Sequence, residues 1–194
     1  SLVNTVTHHI HEEEFHMRTI KKVASHIFID GFGGMTQGLF ATLIIGTMIQ
    51  QIGLLIGGST GNVIYLLGKA AAALTSAGIG VGVAVKYGES PLVTVSAAVA
   101  AMVGGYAGKI TGGTFFVDGN AVLAGPGEPL GAFIAAFAGI TCGHLVSGKT
   151  KVDIIVTPVI TIGAGSVVGL LVGPPISQMM TGLGSIINWA TEQR

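Results

Sequence analysis

The sequence predicts an all-α integral membrane protein with about five transmembrane helices, a re-entrant loop and amphipathic interfacial helices. Three observations carry that prediction. Charged residues make up 9% of the 194-residue chain, against roughly 25% in a soluble domain, so there is too little charge to cover a water-facing surface. Mean hydropathy is +0.74, and uncharged runs reach the ~20 residues needed to cross hydrocarbon as a helix. Glycine occurs 32 times, which suits close helix contact in a bilayer better than a soluble bundle. An outer-membrane barrel is a poor fit, because aromatics are only 6% and the apolar runs lack strict alternation.

The first 30 residues are the polar part of the chain. In "HEEEFHMRTIKKVASHIF", Phe15, Ile20, Val23 and Ile27 fall near helical spacing, away from Arg18, Lys21 and Lys22. That reads as an amphipathic cytoplasmic segment lying along the membrane. Residues 31–190 then form the membrane domain. The first span runs from Gly33 to Gly57 without a charge. The second runs from Gly61 to Val85 and holds Lys69. The third starts at Pro91, a good first helical residue, and reaches Gly108. The fourth runs from Pro129 to Val146, and the fifth from Ile154 to Gly173, where Pro174 and Pro175 are expected to stop it. A short amphipathic helix with Trp189 as interface anchor closes the chain. Glycines four apart share a helix face: Gly34/Gly38, Gly53/Gly57, Gly78/Gly82, Gly104/Gly108 and Gly165/Gly169/Gly173. They predict tight helix packing, or else a hinge or a backbone that lines a substrate path.

Basic residues sort the two ends. With the N-terminus in the cytoplasm, Arg18, Lys21, Lys22, Lys86, Lys149 and Lys151 fall inside and Lys109 outside, as the positive-inside rule asks. The triplet Glu12–Glu14 is wrong for an export signal. Net charge is zero, which leaves no basic face for nucleic acid. One cysteine, Cys142, excludes an internal disulfide and a multi-cysteine metal site. His8, His9, His11 and His16 cluster, but His11 and His16 are five apart rather than the four of the helical zinc motif. No metal, cofactor, nucleophile–base pair or phosphate loop is expected, so the chain does not read as an enzyme.

The polar residues inside the apolar chain are the candidate site. "GGTFFVDGNAVLAGPGEPLGAF", Gly112–Phe133, holds Asp118 and Glu128. A carboxylate at bilayer depth costs roughly 2.5–3.5 kcal/mol, and irregular backbone there survives only when it is buried or lines water. The stretch therefore reads as a re-entrant loop whose Asp118, Asn120 and Glu128 face a polar cavity; the alternative is a solvated external loop. Lys69 either pairs with one of these acids in the bundle interior or snorkels to the surface. His144 either meets a substrate hydroxyl or a proton, or caps its helix.

The motif order "GMTQGLFATLIIGTMIQQIG", then "GIGVGVAVKYGESPLVTVSAAVAAMVGGYAG", then "DGNAVLAGPGEPLGAFIAAFAGITCGHLVSGKTKVD" and onward to "GSIINW" resembles the membrane-embedded enzyme IIC-like family of the bacterial sugar phosphotransferase system. The branch is the one that includes membrane proteins described as toxin regulators. The resemblance covers Gly31 to Trp189 and implies an inner-membrane carrier that binds a sugar, works as a homodimer and cooperates with separate IIA and IIB proteins. It also implies that this sequence spans the first half of the family's length, the half that forms the dimer scaffold. Asp118 and Glu128 would then shape the scaffold's side of the sugar cavity. The reading is thus a sugar-transport component working by alternating access, with a non-transporting sensor on the same fold and a small-solute channel as alternatives.

Overall fold

The computed structural model describes residues 25–192. The N-terminal amphipathic segment and its histidine cluster lie outside them. Helix α1, Ile29–Ile56, is the first candidate span, with 28 residues and a hydropathy of 1.9. It is α-helical over Phe32–Leu39 and Ile45–Ile56, with a π-helical stretch at Phe40–Ile44 between them. It ends at Gly57, whose φ of 66° no β-carbon tolerates cheaply. Gly57 is therefore a helix stop, not the packing partner its spacing from Gly53 suggested; nothing lies within 4 Å of a β-carbon built on it.

The expected second span is broken. Helices α2, Gly58–Ala73, and α3, Thr75–Lys86, meet at Leu74 and are bent by 52°, the geometry of a broken span or a re-entrant pair. Helix α4, Pro91–Gly105, follows, with the Ser90 side chain accepting from the Val93 amide and Pro91 in the first turn. Its 15 residues cover about 22 Å at 1.5 Å each, short of the ~30 Å hydrocarbon. The short helix α5, Ala107–Thr111, leads into a two-stranded antiparallel hairpin, β1 Phe116–Val117 and β2 Asn120–Ala121. Helix α6, Pro129–Val146, is a candidate span of 18 residues, and Glu128 caps its start by accepting from the Leu130 amide.

Helix α7, Asp153–Glu192, corrects the expected end of the chain. It runs for 40 residues straight through Pro158, Pro174 and Pro175. Each proline forfeits one backbone hydrogen bond. Leaving the helix in an apolar medium would strand several backbone groups at once, so continuing is the cheaper course. The expected fifth span and the separate terminal helix are one element. The described residues thus hold three helices long and apolar enough to cross a membrane, four if the bent pair is one span.

The first half of α1 packs on α3 and its second half on α2, while α3, α4, α6 and α7 form the central bundle. The core joins Ile79 and Val83 of α3, Val93 and Ala97 of α4, and Phe133, Ala136 and Ile140 of α6. Phe32 stacks on Phe133 with ring centroids 4.8 Å apart. Helices sit close because glycine faces backbone: a β-carbon on Gly34 would stand 2.5 Å from the Gly82 carbonyl oxygen, and one on Gly165 would stand 2.6 Å from that of Ala135. Large apolar side chains point outward, among them Leu55, Leu67, Ile154 and Leu171. That arrangement suits lipid rather than water.

Candidate polar cleft

The segment between α5 and α6 has two parts. The first is the exposed hairpin, turned by Asp118 and Gly119 with φ of 50° and 77°. Two central residues with positive φ make a type I′ turn, which favours Asp-Gly. Asp118 and Asn120 stand at this tip, both exposed, and the Asn120 side-chain amide donates to the Asp118 carbonyl at 3.3 Å. The Asp-Gly pair between "FFV" and "NAV" was the available sequence signal for this hairpin. The stretch expected as a re-entrant loop forms this hairpin and the strap that follows it, and the bent pair α2–α3 is a broken span or a re-entrant pair in its own right.

The second part, residues 124–128, is an irregular strap tied to the bundle. Lys109 Nζ donates to the Ala124 carbonyl and lies 5.2 Å from the centre of the Tyr106 ring. The Tyr106 hydroxyl donates to the Gly125 carbonyl and also lies 3.2 Å from that of Ala73, the last residue of α2. Ser76 Oγ donates to the Pro126 carbonyl at 2.9 Å, and the Glu128 amide donates to the Gly105 carbonyl at 2.6 Å. The strap therefore hangs from the α2–α3 break, the end of α4 and α5 together. These ties answer three carbonyls and one amide that an irregular segment would otherwise leave unpaired.

Between strap, α5 and α7 opens a cleft of about 900 Å³, walled by Lys109 and Thr111 of α5, Pro126 and Glu128 of the strap, and Ser177, Gln178 and Thr181 of α7. Among the described residues Glu128 and Lys109 do not form an ion pair with each other within 4.0 Å. The cleft offers a carboxylate acceptor, an ammonium donor and neutral hydroxyl and amide groups. Lys109, Ser177, Gln178 and Thr181 were not among the expected site residues, because nothing local links residues of α5 to residues almost seventy positions later.

Of the expected site residues, Glu128 lines this cleft. His144 sits sixteen residues further along α6, about 24 Å away at 1.5 Å per residue. There its Nδ1 lies 3.0 Å from Glu89 Oε1, with His144 71% exposed and Glu89 8% exposed. The pair joins the end of α6 to the α3–α4 turn, where Ser90 and Ser147 also meet at 3.3 Å. In the same turn, burial and then the Asp30 carboxylate push the Tyr87 hydroxyl above its ordinary range, so it stays neutral. Lys69 lies on an exposed face of α2. The five residues are thus not one constellation. No group of three or more possible metal ligands occurs among the described residues.

A bundle with lipid-suited outer faces, broken and proline-containing helices and a polar cleft defines a multi-pass membrane protein with a solute-sized cleft. The family model described as "Phosphotransferase system, EIIC" matches residues 29–194, and the chain belongs to that family. It is a membrane component of a sugar-transport system. No curated protein and no solved structure matches the chain.

Proposed function

We propose that this chain binds a sugar or a related polyhydroxyl solute in the cleft between strap, α5 and α7 and moves it across the bacterial inner membrane by alternating access. The observation that carries this reading is the cleft itself: a carboxylate and an ammonium, not ion-paired with each other, with neutral hydrogen-bonding side chains on a facing helix. A sugar hydroxyl can donate to Glu128 while accepting from Lys109, so one ring satisfies both. Family membership supports the sugar class and the involvement of separate IIA and IIB proteins. The broken α2–α3 pair supports alternating access, since discontinuous helices flank the solute in many carriers. A homodimer and a cytoplasmic N-terminus complete the proposal, the latter supported by Lys86, Lys149 and Lys151 falling at the end of the bundle opposite Lys109. Asp118, Asn120, His144 and Lys69 act, on this reading, outside the cleft, at the two mouths of the assembled carrier.

The test is uptake of a panel of radiolabelled hexoses, pentoses and hexitols into cells that lack their own carriers for them, with the IIA and IIB proteins supplied. The expected result is uptake of at least one sugar, lost in Glu128→Gln. Binding of a sugar without uptake would favour the sensor, and ion conductance in a planar bilayer would favour the channel.

A further inference from the structure

The strap that walls the cleft is held mainly by side chains of other elements. Its centre is Gly125, Pro126 and Gly127. The two glycines have φ of 81° and 77°, in the left-handed region that favours glycine. None of residues 124–128 is buried, so apolar packing contributes little to holding them. Hydrogen bonds hold them instead. Three successive strap carbonyls accept from three side chains: Ala124 from Lys109, Gly125 from Tyr106 and Pro126 from Ser76. A segment tied in this way can open locally while the bundle stays folded.

Two of the three donors are buried, Tyr106 at 1% and Ser76 at 0% exposure, and neither belongs to the walls of the cleft. They connect the strap to both sides of the α2–α3 break. Ser76 stands in the first turn of α3. The Tyr106 hydroxyl lies 3.2 Å from the carbonyl of Ala73, the last residue of α2. That hydroxyl carries one proton and faces two acceptors, Gly125 and Ala73, so it donates fully to one at a time. Letting go of the strap hands the proton to a carbonyl at a helix C-terminus, where the helix itself supplies no donor. One hydrogen bond replaces another, which keeps the net cost of the exchange small. Ser76 also fixes the fit, since a β-carbon on either Gly105 or Gly127 would collide with its Oγ. Glu128 follows Gly127 directly. Its amide donates to the Gly105 carbonyl at 2.6 Å and its side chain lines the cleft, so the place of the strap sets the place of the carboxylate.

We propose that Tyr106 and Ser76 are positioning residues for the solute site: together they latch the strap, and through it Glu128, against the bundle, and the latch is released when α2 and α3 change their angle at Leu74. This rests on the cleft being the solute site. The strap is then a gate on one side of that site, and the broken helix pair is the element that moves it. Alternating access needs such a link, because a gate must answer to the motion of the helices.

The test compares the full chain with Tyr106→Phe and Ser76→Ala. The phenylalanine keeps the ring that packs 5.3 Å from Phe115 and removes only the hydroxyl. Residue-resolved amide hydrogen exchange is measured in lipid nanodiscs at Glu128, at Leu74, whose amide donates to the Ala71 carbonyl at 3.2 Å, and at Ala136 in the buried part of α6. Each variant should exchange about two- to tenfold faster at Glu128 and at Leu74, the factor expected for one lost hydrogen bond, with Ala136 unchanged. The KM of sugar uptake should rise by a similar factor at an unchanged maximal rate, the signature of weakened solute binding. Unchanged exchange at Glu128, a rise there without one at Leu74, or an equal rise at Ala136 would overturn the latch. An unchanged KM beside faster exchange would overturn its positioning role. Exchange needs no sugar, so a lack of uptake by the unmodified chain would sink the solute reading while the latch is still judged by exchange.

Discussion

Gly163 and Gly165 stand two residues apart in α7, and alanine should act on them with opposite sign. A β-carbon at Gly163 meets nothing within 4 Å, whereas one at Gly165 would lie 2.6 Å from both the Ala135 carbonyl oxygen and the Ala100 β-carbon. Replacing glycine by alanine in a helix interior gains about 1 kcal/mol from backbone entropy and helix propensity. At Gly163 that gain stands alone. At Gly165 the new methyl must push α6 and α4 outward by more than half an ångström, and one obstacle is a carbonyl that cannot rotate away. Overpacking of this kind costs about 1–3 kcal/mol. With backbone on one side, the upper end applies and the net is a loss of about 2 kcal/mol. For a chain of this size each kcal/mol moves the melting temperature by about 2–4 °C. Thermal unfolding of the purified protein in one detergent should therefore show Gly163→Ala up by about 2–4 °C and Gly165→Ala down by about 4–8 °C. Equal shifts in the two variants would refute the claim that α7 packs on α4 and α6 through the Gly165 face.

Three further outcomes follow from the geometry. Pro175→Ala should raise the melting temperature, because alanine returns a backbone donor to an unbroken helix and the local preference is worth up to about 3 kcal/mol; thermal unfolding checks it, and a fall would mean that the proline sets a shape the fold needs. Asp118→Asn should leave the hairpin intact, while Asp118→Val should loosen it, since left-handed backbone costs an ordinary L-residue about 1–2 kcal/mol more; the rate of proteolytic nicking between residues 116 and 121 should rise roughly five- to thirtyfold in the valine variant alone. His144→Ala should destabilise by about 1–3 kcal/mol, because the Glu89 side chain it meets is 8% exposed and a buried acceptor that loses its hydrogen-bond partner is costly; chemical denaturation in mixed micelles reads the difference.

The apolar runs made the helices legible, because α1, α6 and the first part of α7 hold few polar residues to obscure their length. The break at Leu74 was harder to see. Leucine is a good helix former, and the bend is anchored by distant partners, Tyr106 reaching toward Ala73 and Ser76 reaching Pro126. Thr75 and Ser76, residue types that favour helix starts, were the local hint. The Pro174–Pro175 stop was overruled by the surroundings, since a rule learned in water assumes that a freed carbonyl finds a solvent donor. In the Gly112–Phe133 stretch two signals competed. The Asp118–Gly119 turn was readable, but the cost of carboxylates at bilayer depth drew both acids into one imagined cavity. The structure sends Asp118 to an exposed tip and Glu128 to a helix cap beside the cleft. The cleft itself was illegible because its walls come from residues 108–112, 124–128 and 174–181, which only the packing of α7 along the bundle brings together.

The most direct test of the account is sugar protection at the cleft. Thr111→Cys and His144→Cys are each made in the Cys142→Ala background, and their reaction with a bulky thiol reagent is timed with and without a saturating concentration of the sugar that the uptake panel identifies. Thr111 lines the cleft and His144 lies at the far end of α6. The account predicts that the sugar slows reaction at Thr111→Cys by about tenfold or more, the shift expected when a ligand holds most of the molecules in the occupied state, and leaves His144→Cys unchanged. Protection at His144→Cys with none at Thr111→Cys would contradict it.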